Sequence, residues 1–214
     1  MAPIIDGDQV KIEYIDKMGK MLGSLFYALW EDVVWLHAKW QEYRKLYGTK
    51  PERIDILNKS APFFFRILQE ILWKDTLLHI SRLTDPIKSC GKSNLCLGQL
   101  EQVVPDETLR REIDNLITMS EKKAKFAHKW RNRQIAHHDL KLALERKVEP
   151  LPPVSRQDVE IVLEAIRNVM NRVEQHYRKS TNLYEPFIHS GDADTLLYYL
   201  RQALVSEEKR IVWE

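Results

Sequence analysis

The sequence predicts an all-α protein, a bundle of four to five main helices. Its apolar residues recur with the period of a helix rather than with the alternation of a strand. Its seven glycines and nine prolines lie mainly between these periodic segments. A chain of 214 residues that is 44% hydrophobic and 30% charged is long enough to bury one substantial core. We therefore expect a single globular domain over residues 1–214.

The first predicted helix spans residues 22–47. Its apolar positions recur at alternating steps of four and three, which places them on one face. This stripe consists of Leu22, Phe26, Leu29, Val33, Leu36, Trp40, Tyr43 and Tyr47. Trp30 and Trp35 lie off the stripe, so their large rings indicate a second contact surface.

The second predicted helix spans residues 60–83 and takes Ser60 as its N-cap. It is apolar almost all round, which is typical of a helix at the centre of a bundle. Asp75 and Arg82 nevertheless fall at core spacing along it. Because buried charges persist only when they are paired or functional, we expect both in a buried polar network. They pair either with each other, within their own helix, or with Arg131 of the third predicted helix.

The remaining segments extend the same pattern. Residues 87–105 are polar and predict a loop with at most a short turn. A third helix is expected over 106–137, and a fourth over 155–178 that begins with a capping box at Ser155. A last short helix is expected from residue 192 or 194 to residue 204.

The segment with the highest density of potentially catalytic side chains lies at the end of the third predicted helix. Two guanidiniums, two imidazoles, an amide and a carboxylate fall within about two helical turns. These are the side chains of Arg131, Asn132, Arg133, His137, His138 and Asp139. Arginine offers a charged fork to phosphate oxygens, and histidine exchanges protons near neutrality. The combination suits cleavage of a phosphodiester, although a solvated helix face with a terminal histidine gives the same pattern.

A basic run precedes this motif. Its cations are Lys122, Lys123, Lys125 and Lys129, and Phe126 and Trp130 are interleaved with them. Lysines attract a polyanion, and aromatic rings stack on bases. Since the net charge of the chain is only +2, an RNA-binding site depends on such local clustering.

Other classes of site are not indicated. Cys90 and Cys96 are expected to be free thiols, because no second Cys or His pair stands at zinc-ligand spacing. His79 and His128 are expected to be ordinary imidazoles rather than ligands, so we predict neither a metal nor a cofactor. A signal peptide and a run of eighteen apolar residues are both missing from the sequence, which predicts a cytoplasmic protein with no membrane partner.

Several segments together resemble the abortive-infection AbiU-type branch of the HEPN superfamily. The likeness covers most of the chain. Its main carriers are Arg131-Asn132-Arg133-x-x-Ala136-His137-x-Asp139 and Ser81-Arg82-Leu83-x-Asp85-Pro86. Further matches are Leu46-Tyr47-Gly48, Asn58-x-x-Ala61-Pro62-Phe63-Phe64 and Gly191-Asp192-x-Asp194-x-Leu196.

The resemblance implies a HEPN-like bundle and a homodimeric endoribonuclease of a phage-defence or toxin–antitoxin system. Arg131 and His137 would then be the catalytic pair, lining a cleft shared by two copies. Asn132 would orient the RNA or hold the local turn. Cleavage would need no metal, because the RNA 2′-hydroxyl attacks the adjacent phosphate. An antitoxin or another defence protein is a further partner that the resemblance implies.

Two questions stay open at the level of sequence. In an unbroken helix, residues six apart lie about 120° apart around the axis, whereas Arg133 and His137, or Arg131 and His138, lie within about 40°. His138 therefore competes with His137 unless the helix breaks, and Asp139 either ends the helix or orients a histidine. The alternative functions are a non-catalytic HEPN module that binds RNA, a nucleotide or a partner protein, and an interaction bundle built on the aromatic first helix.

Overall fold

The structure, a computed structural model, describes residues 7–48, 50–89, 91–136, 144, 151–184 and 191–211. Its elements are α1 (Gly7–Met18), α2 (Lys20–Tyr47), α3 (Pro51–Ser60), α4 (Pro62–Leu83), β1 (Lys88–Ser89), β2 (Lys92–Ser93), α5 (Gly98–Val103), α6 (Glu107–Lys123), α7 (Lys125–Trp130), a π-helical turn (Arg131–Ile135), α8 (Arg156–Arg178) and α9 (Ala193–Ile211). Within the described ranges, β1 and β2 form one antiparallel hairpin and all other regular structure is helical. The all-α prediction is confirmed.

The chain divides into two compact units. The first comprises residues 1–36 and 77–184, and the second comprises residues 37–76 and 185–214. The single domain expected over the whole chain stays a prediction. None of the described helices combines the length and apolar character needed to cross a membrane.

In the first unit, α6 packs along α8, and α1 and α5 pack beside this pair. Each helix is amphipathic and places one apolar stripe inward. The fully buried side chains on the two long helices include Ile113, Val159, Val162, Leu163, Ile166, Val169, Met170 and Val173. The capping box predicted at the start of α8 is confirmed, since the Ser155 hydroxyl accepts from the Asp158 N–H and the Asp158 carboxylate accepts from the Ser155 N–H.

The break between α1 and α2 was not foreseen from the sequence. Gly19 has a φ of 82°, a left-handed conformation that favours glycine and ends α1. One turn later, a Cβ on Gly23 would lie 2.5 Å from the Tyr14 carbonyl oxygen, so α2 can approach α1 only because this position has no side chain. Trp30 packs against Tyr14 and Tyr27, with ring centroids 6.2 and 5.9 Å apart. Trp30 thus has contacts within the chain but is only half-buried, so the second surface expected at its ring stays a prediction.

The second unit has an aromatic core. The indole of Trp40 stacks on Tyr43 at 5.2 Å, and Trp73 of α4 lies 5.5 Å from the Tyr43 ring. The Tyr47 hydroxyl donates to the Phe65 carbonyl at 2.8 Å and fixes the start of α4. Helix α3 packs against α9 in the same unit.

Helix α4 departs from its prediction in two ways. Ser60 ends α3, where its hydroxyl donates to the Ile56 carbonyl at 2.7 Å, so it is not the N-cap of α4. The helix is also not buried all round, since Phe63 is 77% exposed and Phe64 and Ile71 are exposed as well. Its buried residues are Phe65, Thr76, Leu77, His79, Ile80, Ser81 and Leu83. A helix that is apolar on every side gives no periodic signal for its inner face, which is why the sequence placed the stripe wrongly.

The segment expected to be a loop at 87–105 contains the hairpin and α5. The helix expected over 106–137 is interrupted at Ala124 and passes into the π-helical turn. Helix α9 runs to Ile211 and is longer than the short helix expected to end at residue 204. Cys96 is a buried free thiol, as expected, and Cys90 lies outside the described residues.

Asp192 caps α9 and should make the second unit sensitive to acid. Its carboxylate accepts from the Lys45 ammonium at 2.6 Å and from the Thr195 N–H at 3.0 Å. These two bonds lower the pKa of Asp192 from 3.8 to about 2. Their contribution to stability is therefore fully present above about pH 4 and is lost as the pH falls through the folded-state value. Asp192→Asn should flatten the fall in unfolding free energy in this window.

Urea unfolding followed by circular dichroism at a series of acidic pH values measures this effect. Asp114→Asn, which changes an exposed aspartate of α6, is the matched control. Parallel pH profiles for wild type and Asp192→Asn would contradict the prediction.

Candidate functional site

The first half of the motif lies on the π-helical turn. The Ala136 N–H donates to the Arg131 carbonyl at 2.8 Å, which is an i to i+5 bond. Such turns are rare and occur mostly as single bulges at functional sites. Because the turn holds one more residue than an α-helical turn, the angles calculated for an unbroken helix do not apply after Arg131. The sequence left open whether the helix breaks near the motif; the helix changes type at Arg131, and the two competing histidines lie outside the described residues.

Arg131 is fixed by two neighbours. Its Nη1 donates to Asp85 Oδ1, and its Nε donates to Asn132 Oδ1 at 3.0 Å. The side chains of Arg131 and Asp85 are only 23% and 18% exposed, so their ion pair is partly shielded from water. Arg131 therefore lies half-buried at the position where the helical stripe predicts a core residue. The Asn132 amide oxygen thus contacts the guanidinium, and the two roles expected of Asn132 stay predictions.

His128 shares the same carboxylate. Its Nδ1 lies 3.6 Å from Asp85 Oδ1, and its Nε2 lies 2.9 Å from Thr84 Oγ1. Burial lowers the pKa of His128, and the neighbouring Arg131 charge lowers it further, whereas Asp85 acts in the opposite direction. The surroundings of the imidazole thus favour its neutral form. The imidazole is half-buried, and it contacts the carboxylate that pairs with the motif arginine.

The basic run leaves most of its charges in solvent. Lys122, Lys125 and Lys129 are exposed and Lys123 is half-buried. The two aromatic rings of the run are half-buried, and the Trp130 Nε1 donates to the Pro152 carbonyl at 3.0 Å. This hydrogen bond joins α7 to the segment before α8. The lysines are therefore available to a polyanion, and Trp130 has a structural bond of its own.

The buried network expected from Asp75 and Arg82 toward Arg131 was wrong. Asp75 forms its ion pair with Lys39. Arg82 is exposed and lies 3.6 Å from Asp32, whose carboxylate is also 3.7 Å from His79 Nε2. Neither residue has Arg131 as its partner. The cause is the wrong inner face assigned to α4, which placed both charges toward a core that they do not reach.

The other half of the motif cannot be described in the same way. His137, His138 and Asp139 lie outside the described residues. Arg133 lies half-buried in the π-helical turn. Among the side chains that the structure describes, no group of three or more His, Cys, Asp or Glu residues is arranged to hold a metal ion.

Asp85 and His128 are site residues that sequence reasoning missed. In the sequence, Asp85 was noted only as part of the Ser81-Arg82-Leu83-x-Asp85-Pro86 segment that supports the resemblance. His128 precedes Arg131 by three residues, and residues at this spacing are neighbours on a helix surface. That spacing was the available signal for His128. No spacing rule connects Asp85 with Arg131, because the two are 46 residues apart along the chain.

Removing the shared carboxylate charge should destabilise the first unit. Asp85→Asn keeps the shape but leaves the half-buried Arg131 guanidinium without its counter-charge. We expect a loss of roughly 1–3 kcal/mol in unfolding free energy, the range for a buried polar group left unsatisfied. Urea unfolding at neutral pH measures it.

Glu107→Gln is the matched control, because Glu107 pairs with Arg111 at 3.4 Å between largely exposed side chains. Such surface pairs contribute little. Equal unfolding free energies for Asp85→Asn and Glu107→Gln would show that the Asp85–Arg131 pair stabilises the protein no more than an exposed pair does.

The comparison with known families identifies the family of the chain. The family model of AbiU2, a HEPN family, matches residues 20–196. Neither a curated protein nor a solved structure matches the chain. The matched range contains α2 through α8, the π-helical turn and the start of α9. Since it covers well over half of the sequence, the chain belongs to the AbiU2 family of abortive-infection HEPN proteins.

Proposed function

We propose that this protein is a metal-independent endoribonuclease that acts in phage defence or in a toxin–antitoxin system. One observation carries the proposal. The motif arginine, Arg131, is held half-buried by Asp85 and Asn132 directly after a run of exposed lysines. An oriented guanidinium next to a surface that attracts polyanions is what phosphate recognition in RNA requires.

The proposed chemistry uses two side chains of the motif. The RNA 2′-hydroxyl attacks the adjacent phosphorus, and the 5′-oxygen of the next nucleotide leaves. His137 moves the proton, and Arg131 stabilises the negative charge that develops on the phosphate oxygens. The products are a 2′,3′-cyclic phosphate and a 5′-hydroxyl. His138 is the competing histidine, and Asp139 orients whichever of the two is used.

A second function is favoured by a feature of the same ion pair. Because Asp85 already neutralises Arg131, the resting site is less attractive to phosphate than a free guanidinium would be. A HEPN module that binds RNA, a nucleotide or a partner protein without cleaving it is consistent with such a resting state. Cleavage must therefore be measured directly.

Cleavage of single-stranded RNA in the presence of EDTA is the decisive assay. Wild type should produce fragments that end in cyclic phosphate. Arg131→Ala and His137→Ala should each lower the cleavage rate by at least about a hundredfold, the scale seen when a proton-transfer or charge-stabilising group is removed. Circular dichroism should confirm that both variants remain folded.

Two substitutions away from the motif serve as controls. Arg111→Ala removes an exposed arginine of α6, and His176→Ala removes a histidine whose ring contacts Tyr177 on α8. Both should cleave like wild type. If Arg131→Ala and His137→Ala also cleave like wild type, the catalytic assignment fails. If wild type binds RNA but never cleaves it, the non-catalytic module is the better account.

The proposal includes a symmetric homodimer. Apolar side chains exposed in the single chain support it, namely Trp35, which is 63% exposed, on α2, and Phe63, Phe64, Ile67 and Ile71 on α4. Exposed apolar patches of this kind are typical of interaction surfaces. The antitoxin or defence partner implied by the resemblance and the cytoplasmic location predicted from the sequence both stay predictions.

Sedimentation at micromolar concentration should give the mass of a dimer. Trp35→Glu and Ile71→Glu, made separately, test the two exposed apolar regions, because a charge placed in a buried interface is costly. At least one should produce a monomer. Wild type that sediments as a monomer at this concentration would contradict the dimer.

A further inference from the structure

Arg131 and His128 converge on a single oxygen of Asp85. The guanidinium donates to Oδ1, and the imidazole Nδ1 lies 3.6 Å from the same atom. All three side chains are less than one quarter exposed. At this degree of burial, a charge that loses its partner is costly. Any ligand that draws Arg131 away must therefore leave Asp85 with another cation.

The hydrogen bonds of Thr84 determine which nitrogen of His128 carries the proton. A hydroxyl has one proton, and Thr84 Oγ1 donates it to the Ile80 carbonyl at 2.8 Å. The bond of 2.9 Å between Thr84 Oγ1 and His128 Nε2 therefore requires Nε2 to be the donor. In the neutral imidazole Nδ1 then has a lone pair, and this lone pair faces the Asp85 carboxylate. Protonation of Nδ1 replaces this repulsion by an attraction between opposite charges, and a small approach of the two groups from 3.6 Å gives a charge-assisted hydrogen bond.

The charged groups that face His128 are few. Among the described residues they are Asp85, from the segment after α4, and Arg131, from the π-helical turn. Arg131 opposes protonation of the imidazole, and Asp85 favours it. While the ion pair is closed, the positive charge of Arg131 occupies the carboxylate. When the pair opens, Asp85 acts on His128 alone.

We propose that His128 is a further functional residue of this site, which takes up a proton and binds Asp85 when an RNA phosphodiester draws Arg131 away from that carboxylate. The proton comes from solvent, bonds to Nδ1, and returns to solvent when the RNA leaves and Arg131 pairs with Asp85 again. The inference rests on the proposed phosphate contact of Arg131 but not on cleavage.

The exchange keeps the site neutral in both states. In the closed state, Arg131 balances Asp85 and His128 is uncharged. In the open state, Arg131 balances the phosphodiester and protonated His128 balances Asp85. No half-buried charge is left alone at either stage. Binding of RNA is consequently accompanied by proton uptake, so affinity should fall as the pH rises, by up to about tenfold per pH unit between the free-state and bound-state pKa values of His128.

The test is an NMR titration of the His128 imidazole in the full chain. The ligand is a short 2′-O-methylated RNA, which presents phosphodiesters but lacks the 2′-hydroxyl needed for cleavage. The NMR signal of the His128 imidazole is assigned by its loss in His128→Gln. Arg131→Gln without ligand should raise the pKa of His128, and Asp85→Asn should lower it. The RNA should raise the pKa in wild type, but not in Arg131→Gln.

Two further variants separate charge from structure. Arg131→Lys preserves the positive charge, so the pKa of His128 should stay closer to wild type than in Arg131→Gln. Arg111→Gln removes an exposed charge of α6 and should leave the His128 signal unchanged. In wild type the affinity for the RNA, followed by fluorescence anisotropy, should fall with rising pH. In His128→Gln this pH dependence of the affinity should be lost.

Several results would overturn the proposal. The first is an equal pKa of His128 in wild type and in Arg131→Gln. The second is that the 2′-O-methylated RNA does not bind, and the third is that it binds without raising the pKa of His128. Because this ligand cannot be cleaved, the titration of His128 gives the same result whether or not the protein is a nuclease. A protein that shows the proton uptake but never cleaves natural RNA would keep His128 in this role and would favour the non-catalytic module.

Discussion

The ion pair between Asp85 and Arg131 is the constraint on which the candidate site depends. It joins the segment after α4 to the π-helical turn, although the two residues are 46 positions apart in the chain. The bond between Thr84 and His128 joins α7 to the same segment at 2.9 Å. Together these contacts fix the direction in which the motif leaves α7. Without them, a half-buried arginine would have no counter-charge, and the turn that carries it would lose its main tertiary contact.

An arginine held in this way is oriented but not free. Orientation reduces the entropy lost when a phosphate binds, while the carboxylate weakens the attraction. The exposed lysines of the basic run offset that weakness, because they attract a polyanion over a longer range than a single contact does. Under the proposed function, this arrangement would favour a long anionic chain such as RNA over an isolated phosphate. That selectivity would follow from charge placement and would not require base recognition.

Helices with a single apolar face were predictable from the sequence, and the others were not. The stripe of α2 and the capping box of α8 were placed correctly because periodicity and capping are local signals. The inner face of α4 was not, since a helix that is apolar on all sides fits several orientations equally well. In the site, Arg131 and Asn132 were identified by their chemistry. Asp85 could not be connected with them, because the contact arises only when α4 and α7 meet in the folded chain.

The end of α4 also explains why cationic groups gather at Asp85. Helix α4 ends at Leu83, so its last carbonyl groups carry the negative end of the helix dipole toward Thr84 and Asp85. A helix C-terminus favours a nearby cation by typically 0.3–1 kcal/mol, and this contribution persists whichever cation is present. Arg131 benefits from it in the closed pair, and in the proposed exchange a protonated His128 would benefit from it when the pair opens. The same structural element would therefore stabilise both arrangements, which would lower the free-energy cost of exchanging one cation for the other.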